Sequence, residues 1–236
     1  MTNSGKIITI SGLSACGKTT LLNMLREKYG VFVAPSASSL RDKSKTFNDI
    51  SATLEENIEK QKYYFELDKK VSAIAKHAKE EGRIVLCDRD FLSALSHNYA
   101  VHQQSPDTSV YPWMVQAYTN AIKEGELIIP DKHIFLDVSI EERKRRKSSE
   151  PSRFRDNCFF EETFSGNMRD FYHGALQNIP SLWVKYDTME EIDKIFEAVE
   201  QSKEENNASG HNLVNFLKGT IDDTRVNPYI GKYTGR

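Results

Sequence analysis

The chain has 236 residues, 39% of them hydrophobic and 28% charged, with a formal net charge of −2. That length suits one medium-sized α/β domain with appendages, able to bury a core without disulfides. The balanced charge leaves no electrostatic footprint for nucleic acid, and no apolar run approaches a membrane span. The three cysteines, Cys16, Cys87 and Cys158, are widely spaced and form no C-x-x-C or Cys/His metal pattern. They read as reduced thiols in a cytoplasmic protein, and the first strand begins too early for a secretory leader to be expected.

The first predicted element is a strand, Lys6-Ile7-Ile8-Thr9-Ile10, and it runs into Gly12-Leu13-Ser14-Ala15-Cys16-Gly17-Lys18-Thr19. This is G-x-x-x-x-G-K-[ST] in the order strand, loop, helix start that a phosphate-binding P-loop needs. Glycines let backbone N–H groups converge on one point, and the following helix turns its free N–H groups and positive dipole end toward the same anion. The spacing makes Gly12, Ser14, Ala15, Cys16, Gly17, Lys18, Thr19 and Thr20 the candidate cradle for ATP. Lys18 is expected to reach the β/γ-phosphates and the Thr19 hydroxyl to hold Mg²⁺, with Cys16 as a small buried filler.

Leu21, Leu22 and Leu25 continue the helix to Gly30, and Val31–Ala34 reads as a second strand stopped by Pro35. After a polar stretch, residues 49–81 form a long helical region, with Phe65, Leu67, Val71 and Ile74 expected on its inner face. Arg83–Cys87 is a third strand, apolar as a central parallel strand should be. Helices over 91–104 and 112–124, a fourth strand over 134–138, a helix start over 141–147 and a helix over 158–177 follow. A fifth strand over 182–186 and a helix over 189–202 complete the pattern. The alternation predicts an α/β three-layer sandwich with a five-stranded parallel sheet. Residues 1–204 are assigned to this domain, and 205–236 to a mobile C-terminal extension with a helical island at 212–218.

Asp88 and Arg89 follow the third strand, where open α/β sheets bind ligands. A carboxylate there holds Mg²⁺ directly or through water, and an arginine offers a planar fork for a second phosphate. The basic run Arg143-Lys144-Arg145-Arg146-Lys147, with Arg153 and Arg155, leads into a Ser/Pro loop. This is the profile of a lid over about 143–157, bringing cations to a transferring phosphoryl group. Tyr63, Tyr64 and Phe65 fit either a stacking platform for a base or the packing of a long helix.

Taken in order, these residues resemble the thymidylate kinase group of P-loop nucleotide and nucleoside kinases. Residues 8–20 fit its P-loop segment, and 64–69 look like its base-contacting helix, which puts Phe65 and Lys69 on the base. Asp88-Arg89 fits its Asp-Arg motif, and 130–138 its fourth-strand signature. Arg146 and Arg153-Phe154 fall on its lid residues, and Tyr186-Asp187 on the strand beside the adenine. The resemblance spans roughly residues 5–200. It implies ATP·Mg²⁺ as donor, dTMP as the default acceptor, and homodimerisation. It makes Lys18, Asp88, Arg89, Arg146 and Arg153 the catalytic candidates, Thr19 and Asp88 the metal candidates, and Asp187 a donor-site residue. Phe65, Lys69, Arg89, Asp90, His97 and Asn98 become the acceptor-site candidates.

The chain also departs from the group. Ala34-Pro35-Ser36-Ala37 stands where an Arg-Glu-Pro-Gly segment is usual, Asp90 replaces Tyr or His, and Lys69 takes the place of a base-reading arginine. His97 and Asn98 stand for Tyr and Gln. The acceptor therefore stays open between a nucleoside monophosphate and an uncharged hydroxyl, for which Asp88 or Asp90 would be the base. A nucleotide-binding protein without turnover is the third reading.

Overall fold

In the computed structural model the described residues are 5–45, 53–148, 158–186, 192–201 and 210–222. Five parallel strands, β1 (Lys6–Gly12), β2 (Phe32–Ala34), β3 (Ile84–Asp88), β4 (Lys132–Asp137) and β5 (Ser181–Lys185), lie in the order β2-β3-β1-β4-β5. Every residue of the central β1 is buried, as both faces of the sheet are covered. Ile8 and Ile10 of β1, with Ile134 and Leu136 of β4, face α1 (Lys18–Tyr29) and α7 (Ile192–Gln201) in one cluster. Side chains alternate along a strand, so Ile7, Val85 and Cys87 point to the opposite face, against Ala75 and Ala78 of α2 (Leu54–Glu80). Beyond them a larger cluster joins α3 (Phe91–Gln104), α4 (Tyr111–Lys123) and α6 (Glu162–Leu176). The three-layer α/β sandwich expected from the alternation is the observed architecture.

Local signals set most helix ends. Thr53 and Glu56 form a capping box that starts α2, each side chain accepting the other's backbone N–H at 3.2 Å. Gly30, in the left-handed region at φ 62°, closes α1. Asp90 caps α3, and Ser139 caps α5 (Ile140–Lys147). The long helical region predicted from residue 49 begins at Leu54 and runs unbroken. The helix predicted from Cys158 splits into a 3-10 turn, Cys158–Phe160, and then α6.

The C-terminal segment differs most from expectation. Its helix, α8 (Gly210–Asp222), is longer than the predicted island, and it is docked rather than loose. Leu213, Val214 and Leu217 are buried, and Leu213 and Leu217 join the cluster of α3, α4 and α6. The Tyr111 and Thr220 hydroxyls share a hydrogen bond of 2.6 Å. Gly174 of α6 leaves room for the Phe216 ring, which a Cβ at that position would strike. In the sequence a short apolar stripe after a polar linker suggests an island; in the fold the stripe is the outer wall of the core.

Candidate active site

The sheet brings the two most informative loops together. Ile10 of β1 is in register with Asp88 of β3, so the P-loop and the Asp88-Arg89-Asp90 turn leave adjacent strand ends. Gly12 (φ 151°), Ala15 (φ 63°) and Gly17 (φ 91°) give the P-loop its curl. A Cβ on Gly12 would lie 2.6 Å from both Cys16 Sγ and Leu136 O, so only glycine fits there. The Lys18 ammonium is buried under the loop, donating to Gly12 O at 3.1 Å, Leu13 O at 3.0 Å and Cys16 Sγ at 3.3 Å. Burial, and then the nearby Arg89 cation, push the Lys18 pKa below its ordinary value. Cys16 is buried as expected, while Thr19 and Thr20 are exposed at the helix start.

A cavity of about 570 Å³ opens beside this loop, lined by Ser14, by residues of α2 and α3, and by Asp88, Arg89 and Asp90. Arg89 sits at φ 68°, a left-handed conformation costly for a side chain of its size, and its N–H is tied to Ile10 O at 3.0 Å. Asp88 Oδ1 is buried with no hydrogen-bond partner among the described residues. An orphaned carboxylate oxygen beside a P-loop fits a divalent cation or its water shell, so the donor set suits Mg²⁺. Asp90 spends Oδ1 on the Leu92 N–H at 3.0 Å and places Oδ2 3.3 Å from Nδ1 of the buried His133. His97 lines the cavity between the Phe159 and Phe164 rings. Burial, with Lys60 and Arg89 nearby, pushes its pKa down to about 4, so it is a neutral ring at working pH. Asn98 also borders the cavity, and its amide donates to Ala94 O at 2.9 Å.

Two of the expected acceptor residues do not face this cavity. Phe65 packs edge-on against Tyr118 at 4.8 Å and Trp113 at 6.5 Å, on the side of α2 toward α4. Lys69 is held by Glu126 at 3.1 Å and Glu66 at 3.3 Å. The face that lines the cavity carries Lys60, Gln61, Tyr64, Asp68, Val71 and Ser72. The slip is one residue: a helix turns about 100° per position, so moving the aromatic-plus-four pattern from 65/69 to 64/68 changes which wall it faces. The spacing of Lys60, Tyr64 and Asp68, each four positions after the last, is the signal in the sequence that marks one face.

The basic segment also divides. Arg143 is fully buried, donating to Phe159 O at 2.8 Å and Ser165 Oγ at 3.0 Å, and burial lowers its pKa to about 10. It fastens α5 to the 3-10 turn and α6 rather than hanging over the site. Arg145 pairs with Glu142 at the surface. Arg146 donates to Cys16 O at 3.1 Å, Tyr186 O at 3.0 Å and Glu142 Oε1 at 2.7 Å, which seats it against the P-loop. Gly17 is part of that seat, since a Cβ there would approach Tyr186 and Arg146 at 3.2 and 3.4 Å. Arg153, Arg155 and Asp187 lie outside the described residues.

Neither protein-family models nor curated proteins match the sequence. Solved structures do. A deoxyadenosine kinase from M. mycoides with bound dATP is 20% identical over 83% of this chain and 99% of its own, with a TM-score of 0.64. The same kinase with bound dCTP gives 19% and 0.55 over the same shares. A thymidylate kinase from Candida albicans is 16% identical over 87% and 97%, with a TM-score of 0.60. The chain has the fold of the P-loop nucleoside and nucleotide kinases. Among the described residues no helix is long and apolar enough to cross a membrane.

Proposed function

We propose that the protein transfers the γ-phosphoryl group of ATP to a nucleoside monophosphate held in the cavity between α2 and α3. The observation that carries this reading is the shared wall. Ser14 of the P-loop and Arg89 line one cavity, so a donor phosphate in the loop and an anionic acceptor on Arg89 meet without any element having to move far. Lys18 and the loop N–H groups would take the donor's β/γ-phosphates, and Arg146, seated on Cys16 O, would brace that loop. Asp88 and Thr19 would hold Mg²⁺, which offsets the charge of the bridging phosphates. An acceptor phosphate is already ionised, so positioning and charge stabilisation suffice and no base is needed.

A second reading has one observation behind it. Asp68, Asp88 and Asp90 all line the cavity, with Arg89 and Lys60 as its cations. Carboxylates beside Arg89 suit a neutral 5′-hydroxyl better than a dianion, and they would supply a base for it. Release of ADP from Mg·ATP, measured with matched nucleosides and nucleoside monophosphates, separates the two. We expect turnover with monophosphates at least about 100-fold above that with nucleosides, a gap of roughly 2.7 kcal/mol in barrier. The reverse ratio selects the hydroxyl reading. Tight nucleotide binding with no acceptor-dependent turnover leaves only a binding protein.

A further inference from the structure

The cavity wall also says which edge of an acceptor it receives, provided the cavity is the acceptor site proposed above. Tyr64 and Asp68 stand one helical turn apart on the cavity face of α2, so a flat ring resting on Tyr64 turns its rim toward Asp68. The Asp68 carboxylate is fixed from behind. Its Oδ2 accepts the Tyr118 hydroxyl at 2.8 Å. Tyr118 itself is fully buried, with Phe65 and Phe91 rings at 4.8 and 6.1 Å. Burial pushes the Tyr118 pKa well up, so it stays a neutral donor. Among the described residues no lysine or arginine pairs with Asp68 and no donor reaches its Oδ1. Asp68 lines the cavity and is only half-buried, so its second oxygen is open to a ligand, and an N–H group brought to it replaces water with a charge-assisted hydrogen bond.

We infer that Asp68 sets base specificity by accepting a hydrogen bond from an exocyclic amine, so that the acceptor carries an amino heterocycle of the cytosine or adenine type and not its oxo counterpart. An ionised carboxylate has acceptor sites only. An amine presented to Oδ1 makes a charge-assisted bond, whereas a ring carbonyl in the same place sets two oxygen lone pairs against each other. The discrimination is therefore two-sided: the right base makes a hydrogen bond, and the wrong one meets a repulsion. Thymine and uracil, with a carbonyl where cytosine has its amine, fall on the rejected side. Desolvation raises the Asp68 pKa to about 7, so the ionised form prevails from about pH 8 upward, where the selection is to be measured.

The test uses the full chain at about pH 8 with Mg·ATP and two matched pairs, dCMP against dUMP and dAMP against dIMP, with the corresponding deoxynucleosides run in parallel. Within each pair the rings differ at the amine-bearing edge alone. For at least one pair we expect kcat/KM to favour the amino base about tenfold or more. Asp68→Asn, whose amide can turn either a donor or an acceptor to the ring, is expected to bring that ratio within about threefold while the KM for ATP stays put. Equal rates for amino and oxo partners in the unaltered protein, or an undiminished ratio in Asp68→Asn, overturn the assignment. If no compound supports ADP release, the kinase reading fails first. Calorimetric binding of the same compounds then judges Asp68 separately, and equal affinities within the pairs, or no binding at all, count against it.

Discussion

Arg89 lines the cavity from an unfavourable backbone. A non-glycine residue at φ 68° costs on the order of 1–3 kcal/mol, and such strain persists where the surroundings impose it. Here the N–H bond to Ile10 O and the cap that Asp90 gives α3 fix the turn on both sides. That turn puts Arg89 in the wall of the cavity that Ser14 also lines. Arg89→Gly should therefore separate fold from function. Glycine accepts the backbone without strain, though it adds unfolded-chain entropy, so the melting temperature should stay level or rise slightly. Phosphoryl transfer should fall by at least about 100-fold, with the acceptor KM rising far more than that of ATP, a loss of roughly 2.7 kcal/mol in transition-state binding. A variant in which only ATP binding weakens would move Arg89 to the donor side.

At the scale of elements, legibility in the sequence follows from how local the determining physics is. The P-loop can be read because its chemistry is written in contiguous residues: Gly12 and Gly17 permit the curl, and Lys18 folds back onto the carbonyls it has just passed. The third strand is legible as an apolar run, Ile84-Val85-Leu86-Cys87, being covered on both faces, and β1 and β4 as β-branched and apolar runs between polar residues. The cavity face of α2 is not, because Tyr64 and Phe65 are equally good aromatic candidates and only packing against Tyr118 and Trp113 decides which one turns inward. Arg143 escapes notice for a similar reason: nothing in a run of basic residues marks the one whose partners, Phe159 O and Ser165 Oγ, come from a distant segment. The docking of α8 is hidden by its polar linker, and it gives a direct test. Gly174→Ala would force the Phe216 ring aside, at about 1–3 kcal/mol for an overpacked contact. Leu217→Ala would empty a fully buried site at about 2–5 kcal/mol. Both should lower the denaturation midpoint and leave the KM of either substrate unchanged, since neither residue lines the cavity. No change in the midpoint for either variant would return α8 to the status of a loose tail.

Across the whole molecule, two half-buried titratable groups of the cavity oppose each other in their effect on stability. Asp68, facing Tyr118 from α4 and Asp90 from the turn before α3, has its pKa raised from 3.8 to about 7, burial being the main cause. The folded protein then holds this proton more tightly than the unfolded chain does, so stability falls as pH rises from about 4 to about 7 and levels off above that. His97, facing Lys60 of α2, Arg89 and the rings of Phe159 and Phe164, has its pKa lowered from 6.5 to about 4, again chiefly by burial. Here the unfolded chain takes the proton first, so stability falls as pH drops from about 6.5 to about 4. The two slopes have opposite signs over one window and largely cancel, which predicts a nearly level melting temperature between about pH 4.5 and 6.5 in the unaltered protein. Removing either group should expose the other. Asp68→Asn, which keeps an acceptor for Tyr118, should lose stability steadily on acidification and gain most over the unaltered protein at about pH 8. His97→Phe, which keeps the ring stack, should lose stability as pH rises instead. Melting curves of the two variants and their double mutant, taken at half-unit steps, decide the matter: single-variant profiles that run parallel to the unaltered one would show that neither group titrates out of its ordinary range.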